Sequence, residues 1–143
     1  MPIIQFHLVQ GVYPDSEIAD LLAEASSAYV RLLYPTVEPP PLDRVRAFVT
    51  FCAPQYWATA GHLVSQGGTP APYFTCVALS GRPQEQLNSL LSVFTDLIER
   101  YCKCERSLIR GHIISSDPAH WSIGGIPASD VRRDETASRA GGS

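Results

Sequence analysis

The most constraining feature of this 143-residue chain is that it reads as strand, helix, strand, and then reads so a second time. The opening "MPIIQFHLVQG" alternates at once. Ile4, Phe6 and Leu8 fall on one face and Ile3, Gln5, His7 and Val9 on the other, as the period of two requires. Gly11 stops the run. Pro14, Asp15 and Ser16 then start a helix. Its apolar stripe is Ile18, Leu21, Leu22, Ala25, Ala28, Tyr29, Leu32 and Leu33. The proline-rich "YPTVEPPP" ends it, because proline cannot continue a helix. "RVRAFVTF" alternates again as a strand. In the second half "YFTCVAL" is the strand, "SGRP" the turn, "QEQLNSLLSVFTDLIERYC" the helix and "SLIRGHIIS" the last strand.

The halves, residues 2–52 and 73–116, are of similar length. A crossover of this size joins parallel strands, with the helix packed on one sheet face. The expected fold class is therefore α/β (α+β). Two consecutive β-α-β units form one four-stranded sheet carrying both helices on the same side. Apolar residues on both strand faces predict that another subunit covers the bare face. Between the halves lies "CAPQYWATAGHLVSQGGTPAP", read as a long loop of the kind that binds a ligand or a neighbouring subunit. "SDPAHWSIGGIPASD" reads as a compact turn-rich closing segment. Residues 1–130 form a single domain, and the tail 131–143 has no apolar stripe and is expected to be disordered.

Composition narrows the function. Apolar residues make up 45% and charged residues 17%, as in a globular chain. The net charge of −3 lacks the basic excess of a nucleic-acid footprint. No apolar run approaches the roughly 20 residues of a membrane span, and no signal-peptide pattern opens the chain. The expected location is the cytoplasm, with neither nucleic acid nor membrane as partner. Of Cys52, Cys76, Cys102 and Cys104 only the last two are close, spaced C-x-C. That is not the paired spacing of a zinc site, and free thiols of a reducing compartment are expected. No metal-ligand cluster and no phosphate-binding glycine loop is present in the pattern, so neither metal nor cofactor is expected.

A Met-Pro start on a first strand, two consecutive strand–helix–strand halves and Gly-Arg opening the second helix resemble the tautomerase superfamily. The span from "GGTPAPYFTCVALSGRPQEQ" through "DPAHWSIGG" is most similar to the group containing cis-3-chloroacrylic acid dehalogenase. "HWSIGG" also resembles malonate semialdehyde decarboxylase. The resemblance covers residues 2 to about 130. It implies the fold of the tautomerases and of macrophage migration inhibitory factor, a homotrimer, no cofactor, and a small-molecule carboxylate as substrate. It assigns Pro2 and Arg82 as catalytic, the first moving protons and the second binding the carboxylate. Tyr29 corresponds to a histidine on the first helix of the dehalogenases, Asp43 to the aspartate of the decarboxylase, and Trp121 to a wall of that enzyme's pocket. The chain departs from the dehalogenases in two further respects. Leu79 stands where they carry a second arginine, and "WSIGG" holds no carboxylate.

The chemistry of these residues fits that assignment. With Met1 removed, Pro2 is a secondary amine. A model α-amino group titrates near ~8, and burial or a nearby cation lowers that value. A neutral amine is a general base able to lift a proton from carbon and return it elsewhere. With Met1 retained, Pro2 is an amide nitrogen without basicity. Arg82 presents a two-bond fork to a carboxylate beside a helix N-terminus. His112 and Arg110 share one face of the last strand, where they either reach a site between subunits or line the interior of the oligomer. Three readings follow. The first is proton transfer by Pro2 on a small 2-oxo acid, enol or unsaturated carboxylate. The second is decarboxylation, hydration or dehalogenation of a three-carbon acid. The third is a non-catalytic oligomeric binding protein keeping the scaffold.

Overall fold

The computed structural model describes residues 2–131. Of the tail expected to be disordered over 131–143, Val131 instead closes a short helix, and residues 132–143 lie outside the described residues, as does Met1. The first half comprises β1 (Ile3–Val9), α1 (Asp15–Leu33) and β2 (Arg46–Cys52); the second comprises β5 (Tyr73–Leu79), α2 (Gln84–Cys102) and β6 (Arg110–Ser116). Between the halves lie the short strands β3 (Ala58–Thr59) and β4 (His62–Leu63). The described chain closes with β7 (Ser122–Ile123), β8 (Ile126–Pro127) and α3 (Ala128–Val131).

The four long strands form one sheet in the order β2-β1-β5-β6. Each half contributes a parallel pair, Ile3 beside Arg46 and Tyr73 beside Arg110. The two pairs meet antiparallel, with Ile3 opposite Val77 and His7 opposite Tyr73. Two strand–helix–strand crossovers placed back to back give this sheet. It has one consequence for the site. The starts of β1 and β2 lie at the same sheet end as the ends of β5 and β6.

Both helices cover one face. Ile4, Phe6 and Leu8 of β1 and Phe74 and Cys76 of β5 meet Leu21, Ala25 and Tyr29 of α1 and Leu90, Phe94 and Ile98 of α2. Phe94 lies at the centre, edge-on to Phe6 at 6.3 Å, Tyr29 at 5.1 Å and Phe74 at 5.8 Å between ring centroids. Edge-to-face contacts at this spacing add to the burial of each ring. Among the described residues, no helix packs on the opposite sheet face. Phe48 and Ile114 stand on it 42% and 43% exposed, on either side of a polar strip that includes Gln5, His7, Tyr73, Thr75 and His112.

The halves repeat in detail. Gly11 and Gly81, at φ 82° and 95°, turn the chain after β1 and β5 in a left-handed conformation that glycine adopts without a Cβ clash. Gln10 N donates to Cys52 O at 2.8 Å, and Ser80 N to Ser116 O at 2.8 Å. Pro14 O accepts from Glu17 and Ile18, and Pro83 O from Gln86 and Leu87, opening the two helices alike. The segment expected as a long loop over 53–72 is built: a 3-10 turn at Pro54–Tyr56, the β3-β4 hairpin and a second 3-10 turn at Val64–Gln66. Its counterpart after β6 is a 3-10 turn at Pro118–His120 and the β7-β8 hairpin. Strands of two residues are too short to show alternation in sequence.

Candidate active site

The closing hairpin crosses to the sheet end where β1 and β2 begin. There Trp121, Ser122, Ile123 and Gly124 face Ile3, Arg44 and Arg46 across a cavity of about 250 Å³. Pro2, the residue before Ile3, is fully buried at this end, and its carbonyl accepts from Arg46 N at 3.0 Å. The cavity thus combines the first proline's strand, two arginines and an indole wall.

The arginines are positioned by the chain around them. Residues Leu42–Arg44 form a 3-10 turn, and Arg46 opens β2. Arg46 Nη1 donates to the carbonyls of Asp43 at 2.9 Å and Val45 at 3.0 Å. That clamp orients the fork, whose Nε and Nη2 carry its other three N–H groups. The Arg44 guanidinium stacks on the buried Tyr34 ring, 4.9 Å from its centroid. The Arg82 guanidinium stacks on the same ring at 5.4 Å. Arg82 follows the end of β5, so it belongs to this sheet end. Its Nη1 also donates to Leu33 O at 3.2 Å and to Gln86 Oε1 at 3.4 Å. Two guanidiniums, Arg44 and Arg46, line the cavity and make an environment for a carboxylate, which arginine binds through paired N–H groups. Arg82, expected to bind that carboxylate, does not line the cavity and adjoins it only across the Tyr34 ring.

A larger groove of about 530 Å³ runs between α1 and α2, lined in part by Glu24, Arg31, Asp96 and Arg100. It lies on the helical face, away from Pro2. Its carboxylates are ion-paired, Glu24 with Arg100 and Asp96 with Arg106. The geometry there offers nothing resembling a reacting centre. Among the described residues, no three His, Cys, Asp or Glu side chains gather to hold a metal, and no helix is long and apolar enough to cross a membrane.

No family model and no curated protein matches the chain in sequence. Solved structures do match it. Native fused 4-OT is 21% identical, with 90% of this chain and 98% of that one covered and a TM-score of 0.79. Pt0534 inactivated by 2-oxo-3-pentynoate is 22% identical over the same shares, with a TM-score of 0.78. Macrophage migration inhibitory factor of Toxoplasma gondii is 14% identical, with 85% and 96% covered and a TM-score of 0.67. The chain has the tautomerase fold.

Within that fold the residues singled out in the sequence are not all at one place. Pro2, Arg82 and Trp121 share the first sheet end. Asp43 is also there, but its side chain is exposed, and it is its carbonyl that engages Arg46. Tyr29 stands apart. Its ring is wholly buried in the core, its hydroxyl donates to Val77 O at 2.7 Å, and it accepts from the Cys76 thiol at 2.9 Å. Burial, then Cys76, hold its phenol well above the ordinary tyrosine range. Burial pushes the Cys76 thiol from 9.0 up to about 11. His112 lies on the bare sheet face, outside the cavity. Its Nδ1 is 2.5 Å from the Tyr73 hydroxyl, and Tyr73 stacks between His112 and His7. Desolvation lowers the His7 imidazole.

Sequence reasoning missed Arg44, Arg46 and Tyr34. The signal was the "LDRVR" stretch itself, in which two arginines two residues apart flank the buried Val45 at the mouth of β2.

Proposed function

We propose that the chain, once Met1 is removed, is an enzyme in which Pro2 transfers a proton on a small 2-oxo acid, enol or unsaturated carboxylate. The observation that carries this reading is the cavity at the start of β1, with Arg44 and Arg46 on one side and Trp121 on the other. A carboxylate held by Arg44 or Arg46, with Arg82 behind them through Tyr34, brings the neighbouring carbons toward the buried Pro2. Apolar walls favour the neutral amine, which is the basic form. The indole excludes water from the enol. The chemistry needs neither metal nor organic cofactor. The protein acts as a homotrimer in the cytoplasm; fused 4-OT structures with this fold include asymmetric and symmetric trimers. Within the fold we favour the cis-3-chloroacrylic acid dehalogenase-like group, on the sequence spans quoted above. Leu79 and the absence of a carboxylate in "WSIGG" argue for isomerisation over hydration.

The test pairs intact mass with kinetics. Met1 should be absent from the purified protein, and the protein should ketonise phenylenolpyruvate faster than buffer, as read by ultraviolet absorbance. Pro2→Ala should lose about 10²–10⁴ of kcat/KM, the contribution of a general base. Arg46→Ala should raise KM roughly tenfold or more, as loss of a charged hydrogen bond implies. Loss of Met1 without a Pro2-dependent rate would turn the reading to a narrow decarboxylase or to a binding scaffold.

A further inference from the structure

The repeat extends to the cavity. At the opposite sheet end, where β5 and β6 begin, a second pocket of about 370 Å³ opens beneath the β3-β4 hairpin. Trp57, Pro72, Tyr73, Leu108 and Arg110 line it. They stand where Trp121, Pro2, Ile3, Arg44 and Arg46 stand at the first end.

The backbone equates the two ends bond by bond. Pro72 O accepts from Arg110 N at 3.2 Å, as Pro2 O does from Arg46 N. Arg110 Nη1 donates to Ser107 O at 2.6 Å and Ile109 O at 3.2 Å, repeating the clamp on Arg46. Trp57 O accepts from Val64 N at 2.9 Å, and Trp121 O from Ala128 N at 2.8 Å. Two differences decide what the second pocket can do. Leu108 replaces Arg44, so one lining guanidinium remains where there were two. Pro72 lies within the chain, so its nitrogen is a tertiary amide with no proton to exchange and no lone pair to serve as base.

We propose that this pocket is a second ligand site, one that binds small aromatic or branched monocarboxylates without reacting with them. Arg110 takes the carboxylate. Trp57, Leu108 and Ala58 receive the apolar tail. A single guanidinium beside an indole selects one negative charge attached to a flat or bulky apolar group, and it disfavours dicarboxylates.

The chain carries two tryptophans, one in each pocket, so fluorescence reads them separately. In Trp121→Phe the emission comes from Trp57 alone. Titration of this full-length variant with 3-phenylpropanoate, an unreactive acid, should give a saturable change with Kd on the order of 1 mM. Arg110→Gln in that background should weaken it roughly tenfold or more. Arg110 also braces a turn. Ala58→Glu, at an exposed hairpin position that adds a repelling charge, should therefore weaken it in the same direction without touching that brace. Trp57→Phe reports the cavity near Pro2 in the same way, so failure of the proposed catalytic site and failure of this pocket are told apart. No saturable change in Trp121→Phe, or one indifferent to both Arg110→Gln and Ala58→Glu, overturns the proposal.

Discussion

Replacing Tyr29 by Phe tests whether this side chain serves the core or the ligand. The substitution keeps the ring, and with it the edge contact to Phe94 at 5.1 Å. It removes one oxygen that makes two bonds: it donates to Val77 O at 2.7 Å and accepts from the Cys76 thiol at 2.9 Å. A net hydrogen bond contributes about 1 kcal/mol, and leaving a buried acceptor without its donor costs about 1–3 kcal/mol. The carbonyl of Val77 lies within β5, and the strand cannot shift to find water without disturbing Cys76 and Phe74. The thiol is a weak donor and adds little. The sum is a loss of about 2 kcal/mol, or a fall in Tm of roughly 6–8 °C for a domain of this size. Thermal unfolding followed by circular dichroism reads it. Steady-state kinetics at a temperature where both proteins are folded should give kcat/KM within about twofold of the parent, because catalytic losses of a contact residue run to tenfold and beyond. A Tyr29→Phe protein with unchanged Tm and collapsed kcat/KM would refute the reasoning and put the hydroxyl against the substrate.

Three other outcomes follow from the geometry. Gly111→Ala would set a Cβ 2.2 Å from a carbon of the Phe74 ring, which is itself held by Phe94. Urea denaturation should show a loss of about 3 kcal/mol, the upper end of overpacking, and Gly111→Ala with Phe74→Leu should lose less than the two singles added. The raised thiols make an alkaline limit. Cys76 at about 11 and Cys102 at about 12, both from 9.0, keep their protons in the folded chain after the unfolded chain has lost them. Stability is then full below pH 9 and falls as pH rises toward 11 and 12, and Cys76→Val should flatten the first part of that fall in denaturation midpoints taken across the range. Finally, Phe48→Asp places a charge on the bare sheet face; size-exclusion with light scattering should find the parent trimeric and the variant monomeric, and an unchanged trimer would remove that face from the subunit contact.

Legibility in the sequence followed the length of each pattern. The seven-residue strands and nineteen-residue helices announce themselves, because alternation and helical spacing accumulate over their length. Tyr29 shows the same logic at one residue: the helical spacing set it on the apolar face of α1, and that is where it is buried. The β3-β4 and β7-β8 hairpins have two residues per strand and left only turn composition as a trace. Pro54 and Trp57 recur as Pro118 and Trp121 at a constant offset, yet weak identity elsewhere hides that repeat until the backbone bonds are compared. Arg44 and Arg46 were hidden for another reason. Their role depends on the end of β6 delivering a hairpin to the start of β2, a fact of strand direction that no local spacing contains.

Strand direction has one more consequence. Each half builds the floor of one pocket and sends its hairpin to roof the other. Neither half, expressed alone, holds a complete site, and the connection between residues 52 and 73 is part of the machinery as well as a tether. Besides the exchange of Arg44 for Leu108, the proposed function separates the two pockets by which proline carries a free amine. In that proposal, removal of Met1 frees the nitrogen of Pro2 and leaves that of Pro72 sealed in an amide. A circular permutant opened before Pro72 would reverse that assignment, granting the amine to the pocket of Arg110 and withdrawing it from the pocket of Arg44.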